Sequence, residues 1–192
     1  MDKLKKLEIQ RLLKEYDLLV LGDEYKQEIV DNYTTEFMKD ILGEGPNEKK
    51  ENPEPKKEEP KKEKLIQDDE LDAETKKMLK KVFRDVMKKT HPDIIKTEEY
   101  LDFYRLAKEA YDTNNIVELV LIASKLNVDF ELNEKHVEFI KRIIEIKKKE
   151  MEAFQKSYLY MWAHAKSPAE KKAIVELFKG KLRDKQPPTT KS

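Results

Sequence analysis

The segment from Glu44 to Lys64 is the feature that most restricts how this chain of 192 residues can fold. It consists almost entirely of Lys, Glu and Pro, and it carries no large apolar side chain. Such a composition offers no apolar surface whose burial would offset the loss of chain entropy on folding. We therefore predict a disordered linker over residues 44–64. The alternative of a proline-rich docking peptide is less favoured, because no motif of the PxxP type is evident.

The rest of the sequence shows helical periodicity and almost none of the patterns that are typical of strands. Clusters of β-branched residues are brief, alternation with a period of two is missing, and the chain has only four glycines. Because 38% of residues are hydrophobic and 42% are charged, several small helical units are favoured over one large core. We predict an all-α fold that contains an antiparallel helical hairpin and additional N- and C-terminal helices.

Residues 1–43 are predicted to form an N-terminal helical hairpin. Two amphipathic stretches flank a break at Gly22-Asp23, and Gly43 is placed to end the second helix. Two short helices bury too little apolar surface to be stable alone. We therefore expect this hairpin to dock on the rest of the chain or on a partner.

Five helical stretches are predicted after the linker, and three of them begin at good capping residues, Asp72, Asn115 and Ser167. The stretches cover 73–90, 98–112, 115–126, 133–166 and 168–180. They divide into a helical region over 65–126 and a C-terminal helical region over 127–185, followed by a tail over 186–192.

The long C-terminal helix allows two interpretations. Apolar residues seven positions apart, which are typical of a coiled-coil seam, occur at Val137, Ile144, Met151 and Tyr158. Lys147 interrupts this seam, so packing against helices 115–126 and 168–180 is favoured over dimerisation. The aromatic residues Tyr158, Tyr160 and Trp162 could form a client-binding patch, but a core role for Tyr158 and one neighbour is favoured.

Composition excludes several functional classes. Lys+Arg and Asp+Glu both total 40, so no global charge favours nucleic acid, and the absence of cysteine removes thiolate chemistry and most zinc sites. The three histidines lack metal-ligand spacing, and phosphate-binding loops and nucleophile elbows are absent. No signal peptide or spanning segment is evident. We expect a soluble, cytoplasmic protein that has no metal, cofactor or catalytic activity of its own.

The helix predicted over 73–90 has one apolar face and one basic face. The basic residues include Lys80, Arg84 and Lys88, which recur every four positions, and Lys81 adjoins them. From Ala73 to Lys96 the basic residues clearly outnumber the acidic ones, although the whole chain is neutral. Such a local surplus is a candidate docking surface for an acidic partner.

Pro92 predicts the end of this helix at Thr90. Proline lacks an N–H group and disfavours helical geometry in the preceding residue, His91. His91 and Asp93 are therefore expected on a loop at the end of the basic helix. The next helix carries Tyr104, Ala107, Ala110 and Tyr111 on one side, which predicts antiparallel packing with the loop at the tip of the hairpin.

The stretch from Leu79 to Asp93 resembles the second helix and His-Pro-Asp loop of the J domain of the DnaJ family. Tyr104, Ala107, Ala110 and Tyr111 resemble the aromatic and alanine pattern of that family's third helix. The similarity covers residues 72–112. It implies a co-chaperone that binds a DnaK-class chaperone, stimulates ATP hydrolysis there and directs that chaperone to a specific client protein.

The resemblance also implies which residues meet the chaperone's ATPase domain. His91, Pro92 and Asp93 match the family's loop, and the basic docking face is matched by Lys80, Lys81, Arg84 and Lys88. Phe83 matches the aromatic residue of the family's second helix, which has a mainly packing role.

The chain departs from the family at several positions. Ile94-Ile95 follow the loop, where the family has basic or polar residues, and no family-type first helix is visible upstream. One hypothesis is that the N-terminal hairpin folds back and replaces that helix. The missing zinc repeats and substrate β-domain point to a specialised J protein, a style found in phages and large viruses.

Two other functions stay open. The chain could be a structural adaptor that carries a degenerate J-like hairpin in a replication or virion assembly complex. Nucleic-acid binding through the lysine and arginine stripe is the least favoured, because the chain is neutral overall and no exposed aromatic residues interleave with that stripe.

Overall fold

The computed structural model describes residues 3–43, 66–93 and 97–184. Every regular element within these ranges is a helix, so the predicted all-α class is confirmed. Three features discussed above lie outside the described residues: the predicted linker over 44–64, the Ile94-Ile95 pair and the predicted tail over 186–192. The helices are α1 (Lys3–Leu42), α2 (Ala73–Thr90), α3 (Glu98–Asp112), α4 (Ile116–Lys125), α5 (Glu134–Gln155), α6 (Tyr158–Ala163) and α7 (Pro168–Asp184).

The three capping residues predicted from the sequence do begin helices. The Asp72 carboxylate accepts the N–H of Thr75 at 2.8 Å. The Asn115 side chain accepts the N–H of Glu118 at 3.2 Å, and the Ser167 hydroxyl accepts that of Glu170 at 3.2 Å. Each bond satisfies a backbone donor that has no partner within its own helix.

The predicted N-terminal hairpin is wrong, because α1 is one continuous helix of 40 residues. A single glycine costs a helix only about 1 kcal/mol, which neighbouring residues can offset. Gly22 instead allows a close approach, since a Cβ atom there would lie 2.9 Å from the terminal methyl carbon of Met151. Gly43 does end α1, with a φ angle of 74° that suits glycine.

The predicted helix over 133–166 is also wrong, because it is two helices. α5 ends at Gln155, and the Ser157 hydroxyl caps α6 by accepting the N–H of Tyr160 at 3.2 Å. Hydrogen bonds from a serine side chain to nearby backbone groups compete with the backbone hydrogen bonds of a continuing helix. At Ser157 the capping hydrogen bond forms and the long helix is interrupted. The last helix runs to Asp184, beyond the predicted end near Gly180.

The chain divides into two compact units. The described residues of the first unit are 3–20, 66–93 and 97–148, and those of the second are 21–43 and 149–184. α1 and α5 each contribute one part to the first unit and the other part to the second.

The core of the first unit surrounds α4, on which seven of ten residues are buried. Val137, Ile140 and Ile144 of α5 are buried in the same cluster. The long helix therefore shares its core with the helix that follows Asn115, in agreement with the packing predicted for these two helices, while packing against the helix over 168–180 stays a prediction.

The first part of α1 lies on this same core. Ile9, Leu12, Leu13 and Tyr16 are buried in it, and the Asn115 amide donates to the Tyr16 hydroxyl at 2.7 Å. The Tyr16 hydroxyl also bonds the carboxyl of Glu118, whose pKa is nevertheless raised because burial penalises its charged form. The N-terminal segment thus docks on the region that follows the linker.

The second unit has its own small aromatic core. Phe37, Trp162 and Val175 are buried, and Tyr158 and Phe178 pack on them. The Trp162 indole donates to the Asp40 carboxylate at 3.1 Å, and the Lys171 ammonium lies 3.7 Å from the Trp162 ring centroid. The predicted core role of Tyr158 and one neighbouring aromatic residue is confirmed.

Candidate functional site

The predicted antiparallel hairpin is formed by α2 and α3. At one end the rings of Phe83 and Tyr111 stack with centroids 4.3 Å apart, and at the other end Tyr104 lies beside His91. Ala107 and Ala110 are buried between these two contacts. Because alanine adds so little bulk, the two helices approach each other closely, and the aromatic pairs set their register.

The tip of the hairpin begins where α2 ends. Thr90 is buried, and its hydroxyl donates to the Val86 carbonyl oxygen at 3.0 Å. His91 then adopts a ψ angle of 130°, the extended geometry that a following proline favours. The predicted helix end at Thr90 is confirmed, and Pro92 is its physical cause.

The tip presents one imidazole and one carboxylate to solvent. The side chains of His91 and Asp93 are 46% and 86% exposed. The backbone N–H of Asp93 donates to Nδ1 of His91 at 3.3 Å, and the Asp93 carboxylate lies 3.5 Å from the same nitrogen. The two residues therefore form one compact hydrogen-bonding group that a partner can contact.

The predicted basic face lies on the outer side of α2, opposite the buried residues Val82 and Val86. Lys80, Lys81, Arg84 and Lys88 are all exposed on that side. Lys88 pairs with Asp85 at 3.1 Å. Among the described residues, no ion pair involves the exposed cations Lys76, Lys77, Lys80, Lys81 and Arg84. The face thus carries positive charge that the described part of the fold leaves uncompensated.

Lys89 has a role that the sequence pattern does not indicate. It counts toward the basic surplus of this helix, yet its ammonium donates to the carbonyl oxygens of Leu126 and Asn127, both at 2.9 Å. These carbonyls follow the end of α4, where a cation also meets the negative end of the helix dipole. Lys89 therefore connects the tip of the hairpin to α4.

Within the described part of the chain, α2 is flanked by two grooves. One, of about 360 Å³, has Leu71, Leu79 and Tyr111 among its walls, and Lys76 and Lys80 line it. The other, of about 300 Å³, has Met78, Val82 and Phe130 among its walls, and Lys77 and Lys81 line it. Carboxylates line both grooves as well, namely Asp68 and Asp112 in the first and Glu74 and Glu131 in the second. The basic helix is consequently a ridge between two partly apolar depressions.

Asn114 is a structural residue of the site that sequence reasoning missed. Its φ angle is 55°, which asparagine tolerates better than most residues. Its amide donates to the Ile66 carbonyl oxygen at 2.9 Å and to the Asp68 carboxylate at 2.7 Å. This side chain fixes the segment before α2 against the turn between α3 and α4.

The other two histidines have a packing role and a surface role. His136 is buried, its Nδ1 accepts the N–H of Asn133 at 3.2 Å, and burial lowers its pKa. His164 is exposed and bonds the Tyr25 hydroxyl at 2.7 Å. Within residues 3–43, 66–93 and 97–184, no cluster of three histidine, aspartate or glutamate side chains could hold a metal ion.

None of the described helices combines the length and the apolar character that crossing a membrane requires. No protein-family model matches this chain, and no curated protein or solved structure is significantly similar to it.

Proposed function

We propose that this protein is a J-domain-type co-chaperone that stimulates ATP hydrolysis by a DnaK-class chaperone and brings it to a specific client. The observation that carries the proposal is the placement of His91 and Asp93. Both are exposed at the tip of an antiparallel hairpin, and apart from Lys88 the cations on its outer side form no ion pair with any described residue. We infer a DnaK-class chaperone as the partner from the resemblance of residues 72–112 to the J domain.

The charge on α2 supports an acidic protein surface as the partner. Uncompensated cations on one helix face attract an oppositely charged surface and speed diffusional encounter. Lys80, Lys81 and Arg84 lie on the helix that ends immediately before His91. Contact with the basic face would therefore bring the tip to the chaperone at the same time.

In this proposal the chain supplies no active-site base, and the chemistry takes place in the chaperone. Binding of the basic face to the ATPase domain would place the His91-Pro92-Asp93 tip where it can shift the chaperone toward its hydrolytic state. A ligand shifts such an equilibrium only through a difference in affinity between the two states. The tip would accordingly bind the hydrolytic state more tightly.

The first part of α1 has a supporting role in the proposed J-like unit. It covers the core beneath the hairpin through Ile9, Leu12 and Tyr16. We propose that it replaces the family's missing first helix as the element that covers this core.

Single-turnover ATP hydrolysis by a purified DnaK-class chaperone tests the proposed function. The wild-type chain should raise the rate severalfold, and His91→Gln and Asp93→Asn should each abolish the increase. Asp102→Asn is the matched control for Asp93→Asn, because Asp102 is an exposed aspartate that pairs with Arg105 on α3 at 3.5 Å. No stimulation by the wild-type chain across several DnaK-class chaperones would overturn the proposal.

A second candidate is an adaptor with a degenerate J-like hairpin. It is favoured by the separate core of the second unit around Trp162, since an independent core allows a separate binding function. Affinity capture with wild-type and His91→Gln chains separates the two functions. An adaptor should keep all its partners after that substitution, whereas a co-chaperone should lose the chaperone.

A further inference from the structure

The structure assigns Tyr104 as a positioning residue that holds the His91 imidazole in one orientation, with Nε2–H directed to the partner. This inference deepens the proposed function, on which its biological meaning depends. It rests on contacts within one hairpin, and these can be tested without any chaperone.

The first step concerns the proton on His91. The donor of the 3.3 Å bond to Nδ1 is the backbone N–H of Asp93, and in this bond Nδ1 accepts with its lone pair. The Asp93 carboxylate, which would favour a proton on Nδ1, lies farther from that nitrogen, at 3.5 Å. In a neutral imidazole with an accepting Nδ1, the proton resides on Nε2. The tip therefore offers a hydrogen-bond donor at Nε2, together with the exposed carboxylate of Asp93.

The second step concerns the orientation of the ring. The ring of Tyr104 meets that of His91 edge to face, with centroids 6.1 Å apart and an angle of 86° between the planes. Aromatic pairs are favourable in this arrangement at such distances. His91 is nearly half exposed, so the backbone alone would allow its side chain several rotamers. The contact with Tyr104 restricts the ring to fewer of them.

The third step concerns the rigidity of Tyr104 itself. The position of α3 relative to α2 is set by the Phe83–Tyr111 stack and by the buried residues Ala107 and Ala110. Because the packing of the hairpin fixes the position of Tyr104, and Tyr104 contacts His91, that packing also restricts the orientation of the His91 ring. An oriented donor spares the partner the entropic cost of ordering the ring on binding.

Nitrogen-15 NMR of the full chain tests this inference, because the two ring nitrogens of a neutral histidine differ in shift according to which one carries the proton. Spectra recorded at about pH 8 should show the Nε2–H form for His91. His164 is an internal control with the opposite expectation. Its Nδ1 lies 2.8 Å from the Tyr160 carbonyl oxygen and must donate.

Tyr104→Ala should shift the His91 ring signals and abolish the nuclear Overhauser contacts between His91 and residue 104. Tyr104→Phe should leave the His91 signals in place, because the ring edge is retained. Tyr100→Ala is the matched control, since Tyr100 is a half-buried tyrosine of α3 that contacts Phe103. If Tyr104→Ala does not fold, Tyr104→Leu preserves apolar bulk without the aromatic edge and should give the same shift.

Two results would overturn the inference: an Nδ1–H form of His91 in the wild-type chain, or unchanged His91 signals in a folded Tyr104→Ala or Tyr104→Leu chain. In the ATPase assay, Tyr104→Ala should weaken stimulation about two- to tenfold and Tyr104→Phe should not. Wild-type spectra as described, combined with no stimulation of any chaperone, would refute the proposed function and leave the positioning role of Tyr104 standing.

Discussion

The ammonium of Lys89 donates to the carbonyl oxygen of Leu126 at 2.9 Å, although the two residues are 37 positions apart in the chain. The neighbouring Lys88 is exposed and pairs with Asp85 on its own helix. Adjacent lysines on one helix therefore have different functions. One fixes the fold and the other belongs to the proposed docking face.

Lys89→Met should lower the free energy of unfolding by about 1 kcal/mol, because two backbone carbonyls lose a charged donor. Lys88→Met should change it by less than about 0.5 kcal/mol, since an exposed pair within one helix contributes little. Urea unfolding followed by circular dichroism measures both values. Equal values for the two variants would contradict the capping role of Lys89.

If the proposed function is correct, reversing charge on the outer side of α2 should slow association with a DnaK-class chaperone. Lys81→Glu and Arg84→Glu should each reduce the association rate about tenfold at low salt, because each removes one attraction and adds a repulsion. The difference from wild type should shrink as salt screens it. Stopped-flow association at several salt concentrations measures this effect.

Lys172→Glu on α7 is the control for those reversals, because Lys172 is exposed and lies outside the hairpin. Its association rate should stay close to that of the wild type. If Lys172→Glu slows association as much as Arg84→Glu, the overall charge of the chain governs encounter, and the basic face has no special role.

Gly22→Ala should stabilise the protein by up to about 1 kcal/mol, because alanine is the better residue inside a helix. The new Cβ atom would meet the Met151 methyl carbon at 2.9 Å, but the end of a flexible side chain can move. Gly43→Ala should have the opposite sign, since the φ angle of 74° there disfavours alanine. Thermal unfolding compares the two variants, and loss of helix content in Gly22→Ala would contradict a continuous α1.

Mild acid should destabilise the protein through His136. Burial holds its folded-state pKa below the ordinary value of 6.5, although the nearby carboxylates of Glu74 and Asp72 act in the other direction. The unfolded chain therefore takes up a proton first as the pH falls. The free energy of unfolding should decrease from about pH 6.5 downward and should show no contribution from His136 above that range.

His136→Gln tests the assignment of this acid sensitivity. Glutamine at the third helical position can still accept the N–H of Asn133, but it does not titrate. The decrease should disappear in this variant and persist in His164→Gln. Asp72 affects stability in a different pH range. The hydrogen bond from the Thr75 N–H, and next the one from Lys135, hold the pKa of Asp72 below the ordinary value of 3.8. Its contribution to the free energy of unfolding is therefore lost only in stronger acid.

Much of the candidate site follows from residues close together in the chain. The caps at Asp72 and Asn115 need only neighbours three positions away, and Pro92 acts on the residue immediately before it. The amphipathic pattern of α2 separates Val82 and Val86 from Lys81 and Arg84 through helical periodicity alone. These features were predictable because their causes are local.

Other features depend on contacts that no local pattern contains. A glycine at position 22 is compatible with both a turn and a helix. The Met151 side chain, from a residue more than a hundred positions away in the chain, packs in the space left because Gly22 has no side chain. Ser157 lies within a continuous apolar periodicity. The sequence therefore did not distinguish a serine that caps a new helix from a serine on the surface of one long helix. In the sequence Lys89 resembles the other lysines of its helix, and the two carbonyl oxygens that it bonds come from the turn after α4.

The sequence by itself thus determined an all-α chain in which a basic helix ends at a His-Pro-Asp tip. Periodicity, capping and proline geometry act within about one helical turn. Only the tertiary structure decided that α1 is continuous, that Lys89 bonds two backbone carbonyls of the fold, and that Tyr104 contacts His91. Those outcomes depend on burial and on hydrogen-bond partners brought together from distant parts of the chain.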